Sequence, residues 1–309
     1  MKSEVLRELE ELATEARNPK SANIDREGAE GILRIINEED KLVPLAVERE
    51  IPKIAEAVES IVESFREGGR LIYVGAGTSG RLGVLDAAEC PPTFSSPPEM
   101  VQAIIAGGDV ALRQPVEGAE DSQEAGADAI ARCSVSKKDA VVGICASGRT
   151  PFVIGALEKA NELGARTIAL TTNPGSKITK HAKISIAPDV GPEVIAGSTR
   201  MKSGTAQKLV LNMLTTASMI LMGKVYGNFM VDLKPLSEKL RERAKGIIMV
   251  LTGASYEEAS RVYEETGEDV KLSILAIKGK LSLDAAKALL QKANGRISLA
   301  LDYATKGRL

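Results

Sequence analysis

The hexapeptide Gly75-Ala76-Gly77-Thr78-Ser79-Gly80 follows the apolar run Leu71-Ile72-Tyr73-Val74 and fits G-x-G-x-x-G between a strand and a helix. Glycines there let the backbone approach an anion, and the N–H groups that open a helix bind it. Thr78 and Ser79 add hydroxyl donors beside Gly77, which suits a terminal phosphate better than a closely packed pyrophosphate. A dinucleotide site needs an acidic residue about 20 residues on, at the next strand end. Here Asp109 follows only after Gly107 and Gly108, which weakens that reading.

A second loop, Cys145-Ala146-Ser147-Gly148-Arg149-Thr150-Pro151, also follows an apolar run. Thr150 is placed to cap the next helix, and Pro151 to occupy its first turn, where a missing N–H costs nothing. Ser147, Gly148 and Thr150 supply hydroxyls and amides around that terminus, with Arg149 among them. Two hydroxyl-rich loops at the carboxyl ends of separate parallel strands lie where open α/β sheets bind ligands. Together they favour a phosphomonoester. A third loop spans Thr172-Asn173-Pro174-Gly175-Ser176, and a fourth runs from Gly197 to Thr205, offering Ser198 and the cations Arg200 and Lys202.

These loops need a scaffold, and the apolar pattern supplies one. Strands are expected at 70–74, 101–106, 140–145, 167–171 and 184–187, each nearly continuous in Val, Ile, Leu or Ala. Helices are expected between them, at 53–66, 79–88, 121–132, 151–163 and 203–222. The alternation predicts an α/β fold with a doubly wound parallel sheet. Residues 1–44 read as an N-terminal helical segment, 45–233 as the ligand-binding domain, and 234–309 as a small helical C-terminal appendage. Ser255-Tyr256-Glu257-Glu258 forms a capping box there, and Ser282 is placed to cap another of its three or four short helices.

The 309 residues carry 40 basic against 42 acidic side chains, a balance that disfavours nucleic acid as a partner. Aromatics make up 3% with no Trp, so stacking platforms for bases or sugars are not expected. One histidine, His181, excludes histidine-rich metal sites and leaves acid/base chemistry to Glu, Asp, Lys, Tyr or Cys. Cys90, Cys133 and Cys145 lack C-x-x-C spacing and read as free thiols in a reducing cytoplasm. The longest uncharged run, 209–223, falls short of the ~20 residues that span a bilayer, so no membrane association is expected.

The four loops together resemble a sugar isomerase (SIS) domain, which holds phosphosugars through Ser- and Thr-rich loops. A closer resemblance runs through four segments: Gly75–Thr93, which includes Leu85-Asp86-Ala87-Ala88-Glu89-Cys90-Pro91-Pro92; Val116–Ser122; Ala146–Pro151; and Ser198–Lys208. These are similar to the N-acetylmuramic acid 6-phosphate etherases, from Thr14-Glu15-Ala16-Arg17-Asn18-Pro19 nearly to the end of the chain. The resemblance implies a cytoplasmic homodimer without organic cofactor. It also implies cleavage of the D-lactyl ether of the sugar phosphate, with acid/base roles at Glu89 and Glu120.

The chemistry is compatible with these residue types. The ether lies on carbon 3, beta to the aldehyde of the ring-opened sugar, so removing the carbon 2 proton allows lactate to leave and water to add. That requires a base, an acid and donors for the developing oxyanion. Were the helix from Thr78 to run unbroken, Glu89 would lie about 16 Å from the phosphate end. Either Pro91-Pro92 ends the helix early or Glu89 serves a site across a subunit interface, and the latter is favoured. Glu120 precedes a helix, where a carboxylate also complements the dipole, and Glu117 would crowd it if that segment were helical. Glu193 is a third carboxylate near the fourth loop, and His181 reads as part of a surface connection. A phosphosugar isomerase and a non-catalytic phosphosugar sensor are the alternatives.

Overall fold

The computed structural model describes residues 12–232 and 237–306. The five apolar runs form one parallel sheet of β1 (Leu71–Gly75), β2 (Val101–Ile105), β3 (Ala140–Ile144), β4 (Arg166–Leu170) and β5 (Ile184–Ile186). The order is β2-β1-β3-β4-β5. Every residue of β1 and β3 is buried, as strands covered on both faces must be. Among the described residues three α-helices precede the sheet: α1 (Ala29–Asp40), α2 (Leu42–Arg49) and α3 (Ile51–Arg66). The crossovers carry α4 (Gly77–Phe94), α5 (Gln123–Arg132) and α6 (Pro151–Glu162), and α7 (Lys202–Leu221) follows the last strand. The doubly wound parallel α/β class expected from the pattern is the one observed.

Helix α4 is longer than expected, passing through Pro91 and Pro92 to Phe94. The prolines sit in its last turn, so their missing N–H groups deprive only nearby carbonyls before the chain leaves at Ser95, φ +50. The early break considered for this helix does not occur.

The order of the sheet reverses between β1 and β3, the position at which such folds bind ligands. Register places Gly75 opposite Ile144, so the first and second loops leave the sheet at one level. Glycine also sets the spacing of α5 and α6. A Cβ at Gly126 would run into the Phe152 carbonyl, and one at Gly155 into that of Gln123. This close approach lets the Phe152 amide donate to the Glu120 carbonyl (3.0 Å), tying the 115–121 turns to the start of α6.

The described chain divides into two compact units: residues up to Glu89 with Pro98–Thr215, and Cys90–Pro97 with Thr216 onward. Two of the three boundaries fall inside helices, α4 and α7, and the third lies between Pro97 and Pro98, after α4. The described part of the N-terminal segment belongs to the unit of the sheet, where Asn18, Ser21 and Glu39 find their partners. The second unit contains a two-stranded hairpin, β6 (Val225–Tyr226) and β7 (Phe229–Met230). It also contains α8 (Glu238–Thr252), α9 (Tyr256–Glu265), α10 (Val270–Gly279), α11 (Leu283–Lys292) and α12 (Ile297–Thr305). Ser255 and Ser282 do cap α9 and α11, accepting from the amides of Glu258 and Ala285.

Candidate functional site

The first loop is built on two close approaches. A Cβ on Gly75 would lie 2.7 Å from the Gly80 nitrogen, and one on Gly80 would lie 2.6 Å from Ile105 Cγ1. Only glycine lets the end of β1 fold onto the first turn of α4. Gly77, at φ +53, faces open space, and no acceptor among the described residues bonds its amide or that of Thr78. These are the free donors of a helix N-terminus. Thr78 is half-buried, with Gly204 of α7 packed near its methyl group. Ser79 is buried, and its hydroxyl donates to Gln207 Oε1 at 2.9 Å.

The second loop winds inward around a sulfur atom. Cys145 Sγ accepts from the amides of Gly148 (3.1 Å) and Thr150 (3.4 Å) and donates to Thr150 Oγ1 (3.0 Å). Thr150 therefore occupies the cap position of α6 without capping it, contrary to expectation. Ser147 Oγ takes the Arg149 amide at 3.4 Å. Gly148 sits at φ +69 against the Ser176 side chain. The third loop braces this turn: Thr171 Oγ1, Thr172 Oγ1 and Asn173 Nδ2 all donate to the Ala146 carbonyl.

Two expected ligand contacts are engaged elsewhere. Glu193 is fully buried, and its carboxylate accepts the amides of Lys202 and Ser203, both at 2.9 Å. It satisfies the first amides of α7, complements the helix dipole and is closed off from the surface. Lys202 is 1% exposed, with Nζ 2.8 Å from Glu39 Oε2 and 3.0 Å from the Pro192 carbonyl. Its charge is consumed inside the fold. Ser198 is half-buried and Arg200 exposed in the turn that leads into α7.

Sequence reasoning did not foresee the binding of this turn by the N-terminal segment. Asn18 donates to Glu39 and to the Pro192 carbonyl, Ser21 to the Val194 carbonyl, and the Gly197 amide to the Thr14 carbonyl. Glu39 gathers Lys202, Lys20 and Asn18. Burial alone would raise its pKa, but the hydrogen bonds from those three residues outweigh it and hold the carboxyl at about 2.

A cavity of about 350 Å³ opens beyond the ends of β1 and β2. Gly77, Arg81, Glu117 and Glu120 line it together, so Glu120 shares a cavity with the first loop. The 115–121 segment forms turns and no helix, so the helical crowding considered for Glu117 and Glu120 is absent. Arg81, one turn into α4, also lines it and gives Nε to the Leu112 carbonyl at 3.2 Å. Its place four residues after Gly77 was the only signal that could have found it. Arg149 lines a different cavity, of about 360 Å³, with Asn173, Ser176, Lys177 and Asp189.

Glu89 is exposed, twelve residues along unbroken helix from Gly77, or about 18 Å. The structure does not bring it to Glu120. One turn earlier, Asp86 is 5% exposed and accepts from Tyr73 Oη, Asn212 Nδ2 and Thr215 Oγ1. Burial pushes its carboxyl upward, against the pull of these bonds. His181 pairs with Glu158 at 3.1 Å, half-buried in the connection before β5.

Residues 53–161 match the family described as the glucokinase regulatory protein N-terminal SIS domain, and residues 121–217 match the SIS domain. A phosphoheptose isomerase from Francisella tularensis is 22% identical, with a TM-score of 0.47, covering 61% of this chain and 98% of its own. The two domain matches define an SIS protein. An N-acetylmuramic acid 6-phosphate etherase of Caldanaerobacter subterraneus subsp. tengcongensis is 55% identical over 293 residues, covering 95% of this chain and 96% of its own. One from Clostridium botulinum is 57% identical, covering 95% and 97%. The chain belongs to the N-acetylmuramic acid 6-phosphate etherases.

Proposed function

We propose that the protein is a carbon–oxygen lyase that cleaves the D-lactyl ether of N-acetylmuramic acid 6-phosphate. The products are N-acetylglucosamine 6-phosphate and D-lactate, a reaction of amino-sugar recycling in the cytoplasm. The observation that carries the reading is the shared cavity, which joins the free amide at Gly77 to the carboxylate of Glu120. Its volume falls in the range of small-molecule sites.

The amides at the head of α4, with Thr78 and Ser79, receive the phosphate, and Ser147, Gly148 and Thr150 face it across the switch point of the sheet. Glu120 exchanges a proton with the sugar as the carbon 2 hydrogen leaves and the carbon 3 ether departs. Arg81 stabilises the enolate-like oxygen. Ser198 and Arg200 border the fourth loop, and Arg149 supports the second from its outer side.

Glu89 lies farther from Gly77 than a sugar phosphate spans, so it acts in the site of a second subunit. A homodimer packed along this face of α4, where Leu85 is 54% exposed one turn earlier, brings it there. D-lactate release tests both parts. Glu89→Gln and Glu120→Gln should each lower it about 10²–10⁴-fold, and co-expressing the two variants should restore a fraction in mixed dimers. No release by the parent protein would refute the lyase. No restoration would refute the shared site.

A further inference from the structure

Gln207 is 1% exposed on α7, and its two amide atoms are unequally satisfied. Oε1 takes the hydroxyl proton of Ser79, while Nε2 is buried with no hydrogen-bond partner among the described residues. Buried donors left in this state are rare and costly, and an under-satisfied carbonyl is cheaper. The arrangement also leaves Ser79 badly prepared for an anion, since its only proton already points at Gln207. Turning the Gln207 amide by half a revolution exchanges two atoms of nearly equal size. Nε2 then donates to Ser79 Oγ, and the serine proton is free to point elsewhere.

We propose that Gln207 is a positioning residue whose amide reverses when a phosphosugar binds, switching Ser79 from a donor spent inside the protein to one aimed at the phosphate. The inference rests on the phosphosugar reading above and adds a residue to that site. In the ligand-free protein the hydroxyl is parked and Nε2 is orphaned. In the complex, Ser79 accepts from Nε2 and donates to a phosphate oxygen, and the orphan becomes a carbonyl. Binding thereby exchanges a buried unsatisfied donor for a less costly unsatisfied carbonyl. The neighbouring amides of Gly77 and Thr78 need no such switch.

Gln207→Glu is the diagnostic substitution, because a carboxylate only accepts and keeps the Ser79 proton committed. Gln207→Met removes both atoms and releases the hydroxyl. Calorimetric titration with N-acetylglucosamine 6-phosphate, which does not turn over to lactate, should show Gln207→Glu weakened about ten- to a hundredfold. Gln207→Met should lie much closer to the parent. Ser79→Ala should match Gln207→Glu, and combining the two should add no further loss, since Gln207 acts through Ser79. In turnover, the loss in Gln207→Glu should fall more heavily on KM than on kcat. Equal affinities for Gln207→Glu and the parent would overturn the proposal, as would additive losses in the double variant or Gln207→Met as weak as Gln207→Glu. A parent protein that binds no phosphosugar would refute the phosphosugar site itself.

Discussion

Replacing Glu39 tests how the turn before α7 is held. Glu39 is 3% exposed and joins Lys202, 1% exposed, to Lys20 and Asn18. Glu39→Ala leaves the Lys202 ammonium buried with only the Pro192 carbonyl, and breaking a buried pair from one side costs about 3–5 kcal/mol. Glu39→Gln keeps an acceptor and should cost less. Adding Lys202→Met to Glu39→Gln should recover stability, because the uncompensated charge goes with it. The pH dependence has a definite sign. Glu39 titrates at about 2 in the folded chain against an ordinary 4.5, so between those values the unfolded chain binds more protons. Its contribution is full above pH 4.5 and fades as pH falls toward 2, by about 3 kcal/mol in all. Urea denaturation followed by circular dichroism reads both effects, at pH 7 and between pH 5 and 3.5. A Glu39→Ala protein within about 1 kcal/mol of the parent at pH 7 would refute the reasoning. So would a gap between parent and Glu39→Gln that fails to narrow as pH drops.

Gly148→Ala places a methyl group against Ser176 at φ +69, and should lower the melting temperature and weaken phosphosugar binding in calorimetry. Asp86→Ala removes the acceptor that Tyr73, Asn212 and Thr215 share and should cost about 2–4 kcal/mol in urea denaturation. Glu120→Gln should lower kcat for D-lactate release about 10²–10⁴-fold, the range of one positioned proton-transfer group.

The sheet was legible because each strand is a short apolar run and each ligand loop begins with residues that only a tight turn or a helix cap needs. Gly75 and Gly80 illustrate this, since their spacing alone announces a close approach that the structure then shows. Residues whose partners lie far away in sequence were not legible. Lys202 and Glu193 have the charges of ligand contacts, but Glu39, 163 residues from Lys202, and the first amides of α7 claim them. Thr14, Asn18 and Ser21 lie in a polar stretch and prove buried, because the groups that satisfy them come from Asn173, from the carbonyls of Pro192 and Val194, and from Glu39. Pro91-Pro92 suggested an early helix end, and two prolines in a last turn cost too little to impose it. Gln207 carries no local signal at all. Its meaning comes from Ser79, 128 residues earlier.

Elimination across carbons 2 and 3, followed by addition of water, makes a prediction about where the ether oxygen goes. The protein incubated with N-acetylmuramic acid 6-phosphate in heavy-oxygen water should release D-lactate that keeps its original oxygen, while carbon 3 of the product sugar acquires the label. Mass spectrometry of both products decides the matter. Label in the lactate, or no lactate from a folded protein, would contradict the account.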